Sequence, residues 1–109
     1  MTEIIFYKNN KNVIKKFEVK GHADLNIEGK DVLCAAVSTL ASHTIGAIQE
    51  FTGEPCENTV DEGNAKVVFC VSSDEPCEIA KTFLDAFASS AEELAYVYPD
   101  NLKVDYKEI

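Results

Sequence analysis

KGHADLNIEGKDVLCAAVS, residues 20–38, contains the point at which the apolar pattern changes its period. Just upstream, Phe17 and Val19 alternate with Lys16, Glu18 and Lys20, the two-residue repeat of a strand with one buried face and one wet face. From Asp31 onward, Leu33, Ala36, Val37, Leu40, Thr44, Ala47, Ile48 and Phe51 follow a 3.6-residue repeat, with Asp31 as candidate N-cap and Gly53 as stop. A strand therefore leads into a helix of about five to six turns. Between them, residues 23–30 have no clear period and carry Asp24, Asn26, Glu28 and Gly29, which reads as an exposed loop.

Working outward, residues 3–8 and 13–21 are rich in Ile, Phe, Tyr and Val and flank an asparagine-rich turn, so they predict a hairpin. Residues 56–60 and 65–71 flank Asp61, Glu62, Gly63 and Asn64 and predict a second one. Glu75 or Pro76 is expected to open a second helix with Ile79, Phe83, Ala86, Phe87, Ser90, Leu94 and Val97 on its apolar side, ending before Pro99. Alternation over residues 102–107 predicts a last strand. The order ββαββαβ implies an α+β fold: a two-layer sandwich in which two amphipathic helices cover a mostly antiparallel sheet of about five strands.

At 109 residues the chain is expected to form one domain over residues 1–109. Nineteen acidic against ten basic residues give a formal charge of −9, which disfavours direct nucleic-acid binding and would steer a basic peptide toward the surface. Residues 1–7 lack a basic region followed by a long apolar stretch, and no run approaches the ~18 apolar residues of a membrane span. No membrane association and a cytoplasmic location are expected, with Cys34, Cys56, Cys70 and Cys77 reduced.

The chemistry centres on His22 and Cys34. With Asp31 as cap, Cys34 would lie in the first helical turn, among spare amides at the positive end of the dipole, where a thiolate is favoured. His22, at the end of a strand, could supply the imidazole of a nucleophile–base pair, and Gly21 permits a close approach or an unusual dihedral beside it. Spacing alone leaves that pair standing against an unrelated thiol and imidazole. A metal site is disfavoured, because the four cysteines, His22 and His43 show no CxxC or HxxxH spacing, and no cofactor is expected. Asp31 reads as a helix cap or as a carboxylate that orients His22 or a substrate amide. Ser38, one turn after Cys34, reads as a packing residue or a member of the same site. His43 falls on the opposite side of the helix from Cys34. The loop offers Leu25 and Ile27 as apolar anchors and Gly29 as a hinge, so it is either a lid over a bound peptide or a plain connector.

Gly21-His22-Ala23, a loop, and then Asp31-Val32-Leu33-Cys34-Ala35-Ala36-Val37-Ser38 resemble the signature of the ribosomal-processing cysteine protease (Prp) family of bacteria. The resemblance implies a homodimeric cysteine endopeptidase with Cys34 as nucleophile and His22 as base. It further implies removal of a short N-terminal extension, next to paired phenylalanines and ahead of basic residues, from a large-subunit ribosomal protein near the peptidyl-transferase centre. The alternative is a non-catalytic, ribosome-associated binding or thiol-sensing domain in which Cys34 is a packed or redox-active group.

Overall fold

The computed structural model describes residues 1–21 and 30–109, with 30 and 31 described by backbone alone. The elements are β1 (Thr2–Lys8), β2 (Ile14–Lys20), α1 (Lys30–Phe51), β3 (Cys56–Asp61), β4 (Lys66–Val71), α2 (Glu78–Val97) and β5 (Leu102–Glu108). The expected α+β order is present. One five-stranded sheet runs β3-β4-β2-β1-β5. All pairings are antiparallel except β1 with β5, which run parallel.

Register decides which side chains meet the helices. Phe6 lies opposite Phe17 and Tyr106, and Phe17 lies opposite Phe69, so an aromatic row crosses the sheet on one face. Phe87 of α2 sets its ring edge against Phe6 and Phe17, at centroid distances of 5.3 and 4.8 Å. Edge-to-face pairs of this kind bury large areas and add about 0.5–1.5 kcal/mol each beyond the area term. Leu33, Val37, Ala41 and Ile48 of α1 join the same buried cluster. The segment Val32–Phe51 is in fact long and apolar enough to cross a membrane, contrary to the expectation from composition. A third of that window, 33%, is buried inside the protein, with Leu33, Val37, Ala41 and Ile48 in the core.

Both helix starts differ from expectation. α1 starts at Lys30, which puts Asp31 inside the first turn rather than at the cap. α2 starts at Glu78, later than Glu75 or Pro76, because its starting amide is capped from outside: Glu54 Oε1 accepts from the Cys77 N–H at 2.7 Å. The buried face of α2 also differs. Ala80, Leu84, Phe87, Ala88 and Ala91 are buried, whereas Ile79 and Val97 are exposed and Phe83, Ser90 and Leu94 are half-buried. Small residues face the sheet because the aromatic row already fills the space between the layers.

Candidate active site

A cleft of about 320 Å³ opens where the end of β2, the first turns of α1 and the tip of the β3–β4 hairpin converge. Val19 and Gly21 form one side, Cys34, Val37 and Ser38 another, and Val60, Asp61, Glu62 and Ala65 to Val67 the third, with Thr2 among the lining residues. Cys34 is half-buried and Ser38, one turn later, is exposed, so a thiol and a hydroxyl share this wall.

Gly21 meets both requirements expected of it. Its φ is +89°, and a Cβ built there would lie 2.5 Å from the carbonyl oxygen of Met1, so any side chain would clash with main chain. Its N–H donates to the Ala65 carbonyl at 3.1 Å, which ties the end of β2 to the hairpin tip. His22 is the next residue in the sequence. His22 itself, and Leu25, Ile27 and Gly29 of the expected lid, lie outside the described residues. Asp31 is described by backbone alone.

The start of α1 at Lys30 changes the expected supply of spare amides. The Cys34 N–H falls within the i→i−4 ladder of the helix, and the donors without an intrahelical partner belong to the residues before it, Lys30 to Val32. Cys34 nevertheless remains within the first two turns, near the positive end of the dipole.

Charge at the rim comes from the hairpin. Hydrogen bonds from the Asn64 side chain and then its N–H hold the Asp61 carboxyl below the usual carboxylate range, with Asn64 Nδ2 at 2.7 Å from Oδ2. Glu62 beside it is exposed. The Lys66 ammonium is drawn to Glu18, 3.1 Å away on the sheet face remote from the helices. Among the described residues, Asp61 and Glu62 thus stand against the one cation Lys66 at the rim, and the floor, from Val19, Val37, Val60 and Val67, is apolar. Such a cleft suits an extended peptide with apolar and basic side chains. Among the described residues no cluster of His, Cys, Asp and Glu could hold a metal ion.

Of the residues singled out in the sequence, Gly21, Cys34 and Ser38 line this cleft, and Thr2 and the hairpin wall were not among them. Thr2 is 2% exposed, and among the described residues its Oγ1 has no hydrogen-bond partner. The acidic turn was legible as a turn, yet only the pairing of β2 with β4, Lys20 opposite Lys66, brings it to the cysteine. The remaining cysteines lie elsewhere: Cys56 and Cys70 are half-buried in strands, and Cys77 is exposed at the start of α2. His43 is exposed and packs edge-on against Phe83, away from Cys34 as its helical angle requires. A larger groove of about 630 Å³ between α1 and α2 is lined by Ala35, Ala36, Leu40, Leu94 and Val97 among others, with neither thiol nor imidazole.

The family model described as cysteine protease Prp matches residues 1–103. The chain belongs to that family. Among solved structures, Prp of Staphylococcus aureus, an essential ribosomal processing protease in complex with a substrate peptide, is 21% identical with a TM-score of 0.89, covering 98% of this chain and 100% of that one. The same S. aureus protease with a covalently linked product peptide gives 23% identity and a TM-score of 0.87, with 98% and 100% covered. SMU.848 of Streptococcus mutans gives 22% identity and a TM-score of 0.89, with 100% and 96% covered. At these identities the likeness is one of fold, and the Prp fold extends over the chain from β1 to β5. No curated relative matches the sequence.

Proposed function

We propose that this member of the Prp family is a cysteine endopeptidase that removes a short N-terminal extension from a large-subunit ribosomal protein, with Cys34 as nucleophile and His22 as base. The observation that carries the reading is the position of Cys34 on the wall of a cleft with an apolar floor and with Asp61 and Glu62 at its rim, beside the residue that immediately precedes His22. That the S. aureus relative is a ribosomal processing protease with a peptide substrate supports the substrate class.

In this mechanism Cys34 Sγ attacks the scissile carbonyl and forms a thioester, and His22 gives its proton to the departing amine. Water then adds to the thioester with His22 as base, releasing the acid and the free thiol. The oxyanion is served by the spare amides ahead of Cys34, Lys30 to Val32, near the positive end of the α1 dipole. Asp31 and Ser38 support the site, and the loop with Leu25, Ile27 and Gly29 covers the bound peptide.

Mass analysis of the extended ribosomal protein after incubation tests this: the wild type yields the shortened product, and Cys34→Ser lowers the rate by at least about a thousandfold while the fold remains. Undiminished cleavage by Cys34→Ser, or none by the wild type, favours the binding or thiol-sensing alternative.

The enzyme acts in the cytoplasm as a homodimer in this reading. Support for the dimer comes from the α1–α2 groove, at whose end Val97 is 61% and the neighbouring Tyr96 87% exposed. Light scattering is expected to give twice the 12.0 kDa chain mass, and Val97→Asp to reduce it to one chain.

A further inference from the structure

β3 is one edge of the sheet, and among the described residues nothing pairs with its outer side. The phase of its hydrogen bonds follows from a single contact. The Ser72 N–H donates to the Pro55 carbonyl at 2.8 Å, so Pro55 and Ser72 are a bonded pair of the antiparallel ladder. Bonded and non-bonded pairs alternate. Glu57 with Cys70, Thr59 with Val68 and Asp61 with Lys66 therefore exchange bonds inside the hairpin, while Cys56, Asn58 and Val60 turn their main-chain groups outward. The register is unbroken, and no proline or lysine protects the strand interior. Val60 also lines the cleft that holds Cys34, so the free edge runs directly into the candidate active site.

We infer that the substrate adds to this edge as an extended strand, main chain to main chain with Asn58 and Val60, and thereby enters the cleft of Cys34. The inference rests on the protease reading and adds how the peptide is held and which peptides fit. Strand addition takes its affinity from the backbone and its selectivity from alternate side chains. Residues of the peptide on one face meet Glu57, Thr59 and Asp61, and those on the other meet Asn58, Val60 and the apolar floor. The favoured substrate alternates, with basic side chains on the first face and apolar ones directed toward the cleft. A charge of −9 on the whole chain adds long-range attraction for such a peptide.

Proline substitution separates the two sides of the strand. Asn58→Pro removes an outward N–H that no bond within the hairpin uses, whereas Thr59→Pro would break the pairing with β4. For Asn58→Pro, KM for a peptide spanning the ribosomal extension is expected to rise about five- to tenfold, with kcat and the alkylation rate of Cys34 held. An unchanged KM overturns the inference. Should Asn58→Pro not fold, amide exchange in the Cys34→Ser protein decides instead. On addition of the same peptide the Asn58 and Val60 amides are expected to slow at least tenfold, while those of Glu57, Thr59 and Asp61 change little. Binding that perturbs Gly21 and Ser38 but leaves Asn58 and Val60 exchanging freely removes edge pairing and leaves the protease reading intact. A native protein that neither binds nor cleaves the peptide removes both.

Discussion

Cys77 is more exposed than Cys34, and that ordering makes the four thiols a sharp probe of the site. Accessibility places Cys77 first, and Cys56 comes last because burial, then Glu54 and Cys70, push its thiol pKa up. In the proposed protease, His22 and the α1 N-terminus would favour attack by Cys34 and reverse the first two. Brief treatment with iodoacetamide at pH 7, followed by peptide mapping, is expected to show Cys34 labelled first, then Cys77, with Cys56 slowest. If Cys77 outruns Cys34, the thiol in the cleft is not activated in the free protein. Gly21 shows how much a single position can make legible: a glycine beside the candidate base implied special backbone, and it has both a positive φ and a main-chain neighbour where a Cβ would go. Thr2 offered no such signal, because nothing local tells a strand-opening threonine that it will line a cleft.

For an element, the informative case is α2. Its apolar residues form two adjoining stripes, and periodicity could not say which would face the sheet. The stripe with Ala80, Ala88 and Ala91 faces it, and Phe83 instead stacks on Phe51 of α1 at 6.4 Å. The start of the helix also depends on a distant residue. The Glu54 carboxyl is held below its usual range by hydrogen bonds from the Ser73 hydroxyl and then the Cys77 N–H, so an ionised acid caps α2 from the other side of the β3–β4 hairpin. Glu54→Ala is expected to cost about 0.5–2 kcal/mol in denaturant unfolding, the range for loss of a helix cap, with faster amide exchange at Cys77. Unchanged stability and exchange would show that water replaces the cap without loss.

At the scale of the whole molecule, one sheet face is free of helices among the described residues, and an ionic network covers it. Ile5 is 1% exposed there and Glu18 7%, with Glu18 accepting from the Tyr7 hydroxyl at 2.9 Å and pairing with Lys66. Burial raises the Glu18 pKa, but the Lys66 and Tyr7 hydrogen bonds outweigh it and leave the pKa lowered. A folded pKa below the unfolded one gives stability that is present above the unfolded carboxylate value and is lost as pH falls through the folded one. Tyr7 and Tyr106 have the opposite sign: burial, then hydrogen bonds to Glu18 and Glu92, raise both, Tyr106 to about 12. Their contribution is present below the ordinary tyrosine range and lost as pH rises through the folded values. Melting temperature against pH is expected to fall off on both sides of neutrality. Glu18→Gln is expected to lower stability by about 1–2 kcal/mol near pH 7, with the gap from wild type closing in acid. A gap of constant size from pH 7 to 3 would show that Glu18 ionisation adds nothing to the fold.

By itself the sequence determined what depends on neighbours along the chain. The two-residue repeat of β2, the 3.6-residue repeat of α1, the turn at Asp61 to Asn64 and the motif around Gly21 and Cys34 all express local geometry, and the order ββαββαβ follows from them. Only the tertiary structure decided that the two hairpins join through β2 and β4, that β1 and β5 run parallel, and that the β3–β4 hairpin supplies the wall of the Cys34 cleft with Asp61 and Glu62. It also decided that α1 begins at Lys30, that Glu54 caps α2, and which stripe of α2 meets the aromatic row. Each of these depends on burial and hydrogen bonding between residues far apart in the chain, where the free energy belongs to a contact rather than to either partner.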